Sequence, residues 1–419
     1  MLPGNRESER ATATHRAHHH KPCHQLFLDL AKAYDSVEYW ALEDTMRGLG
    51  IPDRVLTLMS KLDEGAQAKL LMGRTDQTHW IKLGRGCPQG PGEVMSPLRF
   101  IAWMNLLLEI IDEWRDDNGQ PVGYSLGDGR RYPGQAFCDD GWFVADTRED
   151  LQTICNIVSA FCELYKVKIN AGKSYYTVGG EDTDPDKGKR EIQLWDHTAG
   201  ERDEEGVPSG AWQTVPETDS NTAIRYLGIM IAANRNPEEQ TKKVVNIIDK
   251  VLDRIHKGRC TGGMANYLIK AIVGGILNYH APFTRLSQKG EIATMDSKIR
   301  KIMRTKGGVS PTIRLGMLYD KTGMGMGWFS ARTCVNEVVL TEGRIALTSE
   351  TLEGDMLRDQ MAWQNKKNGS IFSPWLCPTG RLERGKNKQW ASSATLMTHC
   401  LHDVGWTMDS DALRWGDVA

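Results

Sequence analysis

The sequence lacks the features that mark several protein classes. Its nine cysteines form no CxxC pair and follow no regular spacing, which argues against a disulfide framework and for a reducing compartment. No stretch approaches the roughly 18 consecutive apolar residues of a membrane span, and the polar N-terminus has no apolar core of a signal peptide. The net charge of −2 excludes a chain that is basic throughout. We therefore expect an intracellular protein, nuclear or cytoplasmic, without a membrane partner.

The chain does have enough apolar sequence for a large folded core. It contains 419 residues, of which 40% are hydrophobic, and this is ample for two or three packed units. Apolar runs typical of strands alternate with helical periodicities in the order strand, two helices, two strands, helix, strand. This order predicts an α+β fold in which helices cover one face of an antiparallel sheet.

Two adjacent acids, Asp139 and Asp140, lie between apolar runs. Neighbouring carboxylates repel each other, and the flanking Phe137 and Trp142 would remove part of their hydration, which further disfavours the charged form. A divalent cation would relieve both effects, since Mg²⁺ is held by one or two carboxylates together with phosphates and water. The pair therefore indicates a metal site that handles phosphates, although Asp-Asp is also a common turn sequence.

A third acid, Asp29, interrupts the apolar run Leu26–Leu30. The run fits a buried strand with a carboxylate near its end, and Asp29 could alternatively cap the helix that follows. Acids on two adjacent strands can hold two cations about 3.5–4 Å apart, the geometry of in-line phosphoryl transfer. We therefore predict that Asp29, Asp139 and Asp140 converge.

Further motifs lie in a fixed order around these acids. They are Tyr34 after Asp29, Arg85-Gly-Cys-Pro-Gln-Gly90, Ser96-Pro97, Asn170-Ala-Gly-Lys173 and Arg225-Tyr-Leu-Gly228. In this order the chain resembles reverse transcriptases, most closely those of non-LTR (LINE-type) retrotransposons, over roughly residues 25–231. The resemblance implies a right-hand polymerase palm, followed by a helical thumb and a helical C-terminal region.

The resemblance implies an RNA-directed DNA polymerase that uses an RNA template, a DNA primer and dNTPs. Asp29, Asp139 and Asp140 would be the catalytic carboxylates that bind two Mg²⁺ ions, with Mn²⁺ as a substitute, and the Leu30 carbonyl would add a ligand. Lys173 would approach the triphosphate and protonate the pyrophosphate leaving group.

Two further segments would bind substrate by the same resemblance. Tyr34 would be the steric gate that selects dNTPs over rNTPs, and packing at a helix start is the alternative role of its ring. Gln89 and Gly90 would line the nascent base pair. Five residues separate Gly90 from Ser96, where the family pattern more often has three.

The charge balance reverses in residues 241–306, which hold fourteen Lys and Arg and four Asp and Glu. An apolar helical stripe is predicted there at Val244, Ile248, Val251 and Ile255. Lys243, Lys250, Arg254 and Lys257 lie mostly off that stripe, on a face that either is simply solvated or contacts a nucleic-acid backbone. The position after the palm favours a thumb that grips the primer–template duplex.

The expected organisation follows from these assignments. Residues 1–22 form a disordered tail, 23–180 the palm with a remnant of fingers, and 181–223 an acidic insertion with a hairpin. Residues 224–306 complete the palm and form the basic thumb, and 307–419 form a helix-rich region. Because no fingers motif precedes Asp29, we expect an N-terminally truncated polymerase fragment. The alternative is a catalytically inactive nucleic-acid-binding remnant of such an element.

Overall fold

The computed structural model describes residues 21–69, 71–72, 76–77, 79–86, 95–125, 130–180, 182–202, 208–234, 236–319 and 326–348. They belong to two compact units, one that ends at Leu227 and one that begins at Gly228. The predicted tail up to residue 20, the predicted substrate residues Gln89 and Gly90, and the chain beyond residue 348 lie outside the described residues.

The first unit contains helices of 4 to 19 residues and a series of strands. Its helices are α1 (Ala33–Ser36), α2 (Tyr39–Gly48), α3 (Asp53–Glu64), α4 (Met95–Glu113) and α5 (Arg148–Leu164). Its longer strands are β1 (Cys23–Ala31), β8 (Gly134–Phe137), β9 (Asp140–Ala145), β11 (Tyr175–Gly179), β12 (Glu191–Asp196) and β13 (Ala211–Thr218). The shorter ones are β2 (Gln67–Ala68), β3 (Leu71–Met72), β4 (Asp76–Gln77), β5 (Ile81–Lys82), β6 (Tyr124–Ser125), β7 (Arg131–Tyr132), β10 (Lys168–Ile169) and β14 (Ile224–Tyr226).

The main sheet has the strand order β12-β13-β11-β1-β9-β8, and β10 pairs with the end of β1. All these pairings are antiparallel except that of β11 with β13, which is parallel. The prediction of a mixed helix and strand fold with a mainly antiparallel sheet is therefore confirmed. The parallel pair was not predicted, and it arises because the hairpin β12–β13 from the 181–223 segment joins the sheet.

One face of β1 packs into the main core. Leu26, Leu28 and Leu30 alternate along the strand and are buried in the main core, together with apolar side chains of α4 and α5. Burial of each such side chain contributes about 1.5–3 kcal/mol. Because side chains alternate along a strand, Phe27 and Asp29 lie on the opposite face. The core thus fixes which face presents the acid.

Helix α5 begins at a capping residue. The Thr147 hydroxyl accepts a hydrogen bond from the Asp150 amide at 3.0 Å, and the buried apolar residues of the helix recur at a helical period. The same helix covers the edge of β12, because the Gln152 side chain bonds both the amide and the carbonyl of Gln193 at 2.9 Å. This edge is therefore closed to further strand pairing.

The second unit begins with β15 (Ile229–Ile231) and is otherwise mostly helical. Its helices are α6 (Glu238–Lys257), α7 (Gly262–Leu268), a π turn (Ile269–Val273), α8 (Gly274–His280), a 3-10 turn (Ala281–Phe283), α9 (Glu291–Gly307), α10 (Leu315–Tyr319) and α11 (Ala331–Thr348). The buried stripe of α6 holds Leu252, not the predicted Val251, which is only partly buried. No helix in the described part of the chain is long and apolar enough to cross a membrane.

Candidate active site

The pairing of β1 with β9 places two of the predicted acids opposite each other. Asp29 and Asp140 are register partners in this antiparallel pair. Cα atoms of such partners are about 4.5–5.5 Å apart, and their side chains extend from the same face of the sheet. Asp139 directly precedes β9, so all three acids lie at one end of these two central strands.

A tight turn holds Asp139 at this position. Phe137 and Asp140 are paired at the end of the β8–β9 hairpin, which leaves Cys138 and Asp139 as its two-residue loop. Cys138 has a φ of 55°, in the left-handed region that costs a non-glycine residue about 1–3 kcal/mol. The two strands thus hold a strained turn beside the acids.

The pKa of Asp140 reflects its burial and the neighbouring acids. Burial raises the pKa of its carboxyl group, and the negative charges of Asp139 and Asp29 raise it further. The positive charge of Arg225 opposes these effects without cancelling them. Carboxylates that are close enough to disfavour each other's ionisation would be stabilised by a cation between them.

The donor chemistry of these residues fits a hard divalent cation, which prefers carboxylate oxygens. The side chains are not, however, gathered around one point: among the described residues, no group of three or more His, Cys, Asp or Glu side chains could hold a metal ion as it stands. The arrangement is therefore one of carboxylates that lie at the same end of β1 and β9, with Asp29 and Asp140 on one face of the sheet.

Asp29 is supported by the turn that follows β10. The Asn170 side-chain amide donates to Asp29 Oδ2 at 2.8 Å, and the Asn170 backbone amide donates to the Asp29 carbonyl at 2.9 Å. The Asp29 amide in turn donates to the Ser174 hydroxyl at 3.2 Å. Asn170 belongs to one of the sequence motifs, but no role was predicted for it, and Ser174 was not predicted to be a site residue.

The same turn carries Lys173. It ends the 3-10 turn Ala171–Lys173, its backbone amide donates to the Asn170 carbonyl at 3.0 Å, and its side chain is exposed. Leu30 pairs with Ile169 and its side chain is buried, so only its backbone remains for binding. Lys173 therefore extends from a turn that is hydrogen-bonded to Asp29.

Tyr34 is fixed by stacking. It lies on α1, and its ring stacks on that of buried Phe100 with centroids 4.1 Å apart and planes 15° apart. Gly86, with a φ of 92°, packs so closely that an added Cβ would lie 2.9 Å from the Asp35 Cα. Gly86, which precedes Gln89 by three positions, therefore packs against α1.

Tyr226 belongs to one of the sequence motifs, but its place in the site was not predicted. Its hydroxyl donates to the Asp140 carbonyl at 3.3 Å, and its ring packs edge-on against Phe27 at 5.6 Å. Burial, together with the charge of Asp140, raises the pKa of Tyr226 to about 12. The phenol is therefore a neutral neighbour of the acids at physiological pH.

The four predicted nucleic-acid-binding residues all lie on α6 in the second unit. Lys250, Arg254 and Lys257 are exposed and recur at helical spacing on one side. Lys243 is partly buried, and its ammonium group donates to the Gly228 carbonyl at 2.6 Å. The structure thus leaves three of the four side chains open to a ligand.

Comparison with known families identifies a match over more than half of the chain. The family described as "Reverse transcriptase (RNA-dependent DNA polymerase)" matches residues 2–231. The chain is 28% identical over 165 residues to the Retrovirus-related Pol polyprotein from type-2 retrotransposable element R2DM of Drosophila melanogaster. It is 29% identical over 133 residues to the Retrovirus-related Pol polyprotein from type-1 retrotransposable element R2 of Nasonia vitripennis.

These alignments cover 39% and 32% of this chain but only 14% and 12% of the two polyproteins, so the chain spans a small part of either relative. Among solved structures, the chain is similar to telomerase from Candida tropicalis in complex with a fragment of telomeric RNA, at 10% identity and a TM-score of 0.35. That match covers 84% of this chain and 52% of the telomerase. Apo telomerase from the same organism gives the same identity and TM-score, with 85% and 56% covered.

Proposed function

This chain belongs to the reverse transcriptase (RNA-dependent DNA polymerase) family, with Pol polyproteins of R2 non-LTR retrotransposons as its relatives, and on this premise we propose that it extends a DNA primer on an RNA template with dNTPs. The observation that carries the proposal is the register pairing of Asp29 with Asp140, with Asp139 in the adjoining turn. Together these residues bring carboxylates from two strands to one face of the sheet.

The proposed cation ligands are Asp29, Asp139 and Asp140, whose side chains must turn toward a shared centre. When bound, Mg²⁺ or Mn²⁺ supplies the positive charge that acidifies a primer 3′-hydroxyl and offsets the charge of a triphosphate. Tyr34, held flat by Phe100, would exclude a 2′-hydroxyl.

Lys173 would reach the triphosphate from the turn attached to Asp29, and Gln89 with Gly90 would contact the nascent base pair. The unit that ends at Leu227 would be the palm, and the helical unit that begins at Gly228 would be the thumb. Lys250, Arg254 and Lys257 would neutralise backbone phosphates of the primer–template duplex, with Lys243 at the margin of this surface.

The decisive experiment is primer extension on an RNA template with Mg²⁺. The wild type is compared with Asp139→Ala and, as a matched control, with Asp117→Ala, which removes an exposed acid from a distant turn. Extension by the wild type and the control but not by Asp139→Ala supports the assignment. Equal extension by all three rejects the site, whereas salt-sensitive nucleic-acid binding without any extension supports the alternative of an inactive binding remnant.

A further inference from the structure

Both the side chain and the backbone of Asp29 are hydrogen-bonded to a single turn. One carboxylate oxygen, Oδ2, accepts from the Asn170 side chain, and the backbone of Asp29 is bonded at both its amide and its carbonyl to the same turn. Because a carboxylate only accepts, the amide nitrogen of Asn170 must face it. The turn therefore fixes the side chain as well as the strand end.

This fixation matters because the neighbours of Asp29 are negatively charged. Asp140 is its register partner, and Asp139 directly precedes Asp140 in the β8–β9 turn. An unsupported carboxylate opposite another would rotate away from it, and that rotation would separate the donors that a cation needs. A neutral amide donor holds the group in place without neutralising it.

We propose that Asn170 is a positioning residue of the polymerase site, which holds Oδ2 of Asp29 so that Oδ1 stays available for a cation. This inference rests on the proposed function and deepens it. It also explains why Lys173 lies in the same turn: its backbone amide bonds the Asn170 carbonyl, so one residue would position both the carboxylate and the lysine.

The test compares Asn170→Ala with Ser174→Ala. The second variant removes the hydrogen bonds of the Ser174 hydroxyl to the Asp29 amide and to the Asn170 carbonyl but leaves the contact of the Asn170 side chain with the Asp29 carboxylate. Mn²⁺ binding to the free protein is measured by electron paramagnetic resonance, and the Mg²⁺ dependence is measured in primer extension. Loss of a residue that orients a metal ligand typically weakens metal affinity by about 10- to 100-fold. We expect that loss for Asn170→Ala, and an unchanged Mn²⁺ affinity for Ser174→Ala.

Equal Mn²⁺ affinities of Asn170→Ala and the wild type would overturn the inference. Equal losses of Mn²⁺ affinity in Asn170→Ala and Ser174→Ala would also overturn it, because they would indicate that the turn has a purely structural role. If the wild type binds no Mn²⁺, the proposed function fails first. A double-mutant cycle of Asp29→Ala and Asn170→Ala, followed by thermal unfolding in EDTA, then still decides whether the two side chains are coupled. Additive shifts would reject the positioning role.

A second, independent observation concerns the helical run from Gly262 to Phe283. Large apolar side chains are exposed along it, with Tyr267 71%, Tyr279 51% and Phe283 50% exposed. These rings fall on positions spaced by multiples of four, and the intervening Ala271 and Gly275 are also exposed. Tyr279 and Phe283 are four positions apart, the spacing of neighbours on a helix surface, and Tyr267 precedes them in the same run, before the π turn Ile269–Val273. We refer to these three exposed rings as the aromatic stripe.

The sequence of the helical run that carries the aromatic stripe has charge of one sign. No acidic residue occurs between Asp253 and Glu291, whereas Lys257, Arg259 and Lys270 lie in that interval and are exposed. Exposed aromatic rings flanked by cations are the arrangement on which unpaired bases stack while the backbone is neutralised. In a duplex the base faces are already stacked on one another, so they are not accessible to the aromatic rings.

We infer that the aromatic stripe binds single-stranded nucleic acid, with bases stacked on Tyr267, Tyr279 and Phe283. The ligand differs from the duplex that α6 is proposed to contact. Stacking on an aromatic ring is insensitive to base identity, so the surface would hold a strand of any sequence.

The test measures binding of a labelled oligouridine and of a duplex of equal length to the full chain. Tyr267→Ala and Phe283→Ala should each weaken single-strand binding about 10-fold, whereas Tyr267→Phe, which keeps the ring, should not. Met317→Ala, an exposed apolar residue on α10, is the control and should have no effect. Unchanged oligouridine binding by the alanine variants, or a loss confined to the duplex, would overturn the inference.

Discussion

Arg99 on α4 donates two hydrogen bonds to the carboxylate of Asp63 on α3, at 3.0 and 2.6 Å, and both side chains are almost completely buried. Removal of one partner leaves an uncompensated charge inside the protein. We therefore expect Asp63→Ala to lower the free energy of unfolding by about 3–5 kcal/mol, measured by urea denaturation.

The control for this prediction lies at the other end of the same helix. Asp53 approaches Arg47 at 3.9 Å, but its side chain is 90% exposed. Solvent screens such a pair, so Asp53→Ala should leave the unfolding midpoint almost unchanged. Comparable losses in the two variants would mean that burial does not decide the strength of the Asp63–Arg99 pair.

Gly141 lies on β9 next to Asp140, where it pairs with Leu28 of β1. An added Cβ would lie 2.9 Å from Cε2 of Phe143 and 3.3 Å from Cβ of Leu28. Since the surrounding core is closely packed, Gly141→Ala should cost about 1–3 kcal/mol of stability. It should also reduce primer extension, because the pair Leu28–Gly141 directly adjoins the pair Asp29–Asp140.

Gly172→Ala is the matched control for Gly141→Ala. It lies in the turn beside Asp29, but its nearest neighbour, Asn170 Oδ1, would be 3.8 Å from an added Cβ, an ordinary contact. Its stability should therefore stay the same or rise slightly, since alanine restricts the unfolded chain. Greater stability of Gly141→Ala than of Gly172→Ala would contradict the assigned packing.

Local patterns predicted the parts of this site that depend on neighbouring residues. Alternation of Leu26, Leu28 and Leu30 sets one face of β1 and thereby the face of Asp29, and Thr147 with Asp150 marks the start of α5. Both signals lie within a few positions of the element they define, so a single sequence suffices to read them.

Contacts between distant parts of the chain could not be predicted in this way. Asn170 is 141 positions from Asp29, and no periodicity links the two. The parallel pairing of β11 with β13 likewise depends on how the 181–223 segment folds back onto the sheet. Alternation specifies which face a side chain occupies but not which strand lies beside it.

The pH dependence of stability should reveal the electrostatic cost at Asp140. Its pKa is raised by burial and by Asp139 and Asp29. Between the ordinary carboxyl pKa and the raised one, the folded state binds more protons than the unfolded state, so stability falls as pH rises through this window. In EDTA at neutral pH, Asp140→Asn should therefore have a higher Tm than the wild type.

That advantage should shrink as the pH falls below the ordinary carboxyl range, where the wild-type group is protonated in both states. Thermal unfolding in EDTA at several pH values provides the measurement, with Asp117→Asn as an exposed control that should follow the wild type throughout. A Tm of Asp140→Asn that lies below the wild type at every pH would show that the ionised group is stabilising.

A buried charge cluster anchors the inserted hairpin, and its energetics lead to a non-additive prediction. Arg190 donates to Asp182 and to Glu217, and all three side chains are at most 5% exposed. Arg190→Met leaves two buried carboxylates without a counter-charge and should cost about 3–5 kcal/mol in urea unfolding. Replacement of all three by apolar residues of similar size removes the unpaired charges as well, so the triple variant should be more stable than Arg190→Met alone. If the loss of stability in the triple variant equals the sum of the losses in its three single variants, the cluster is not coupled. The hairpin is then held by the pairing of β13 with β11.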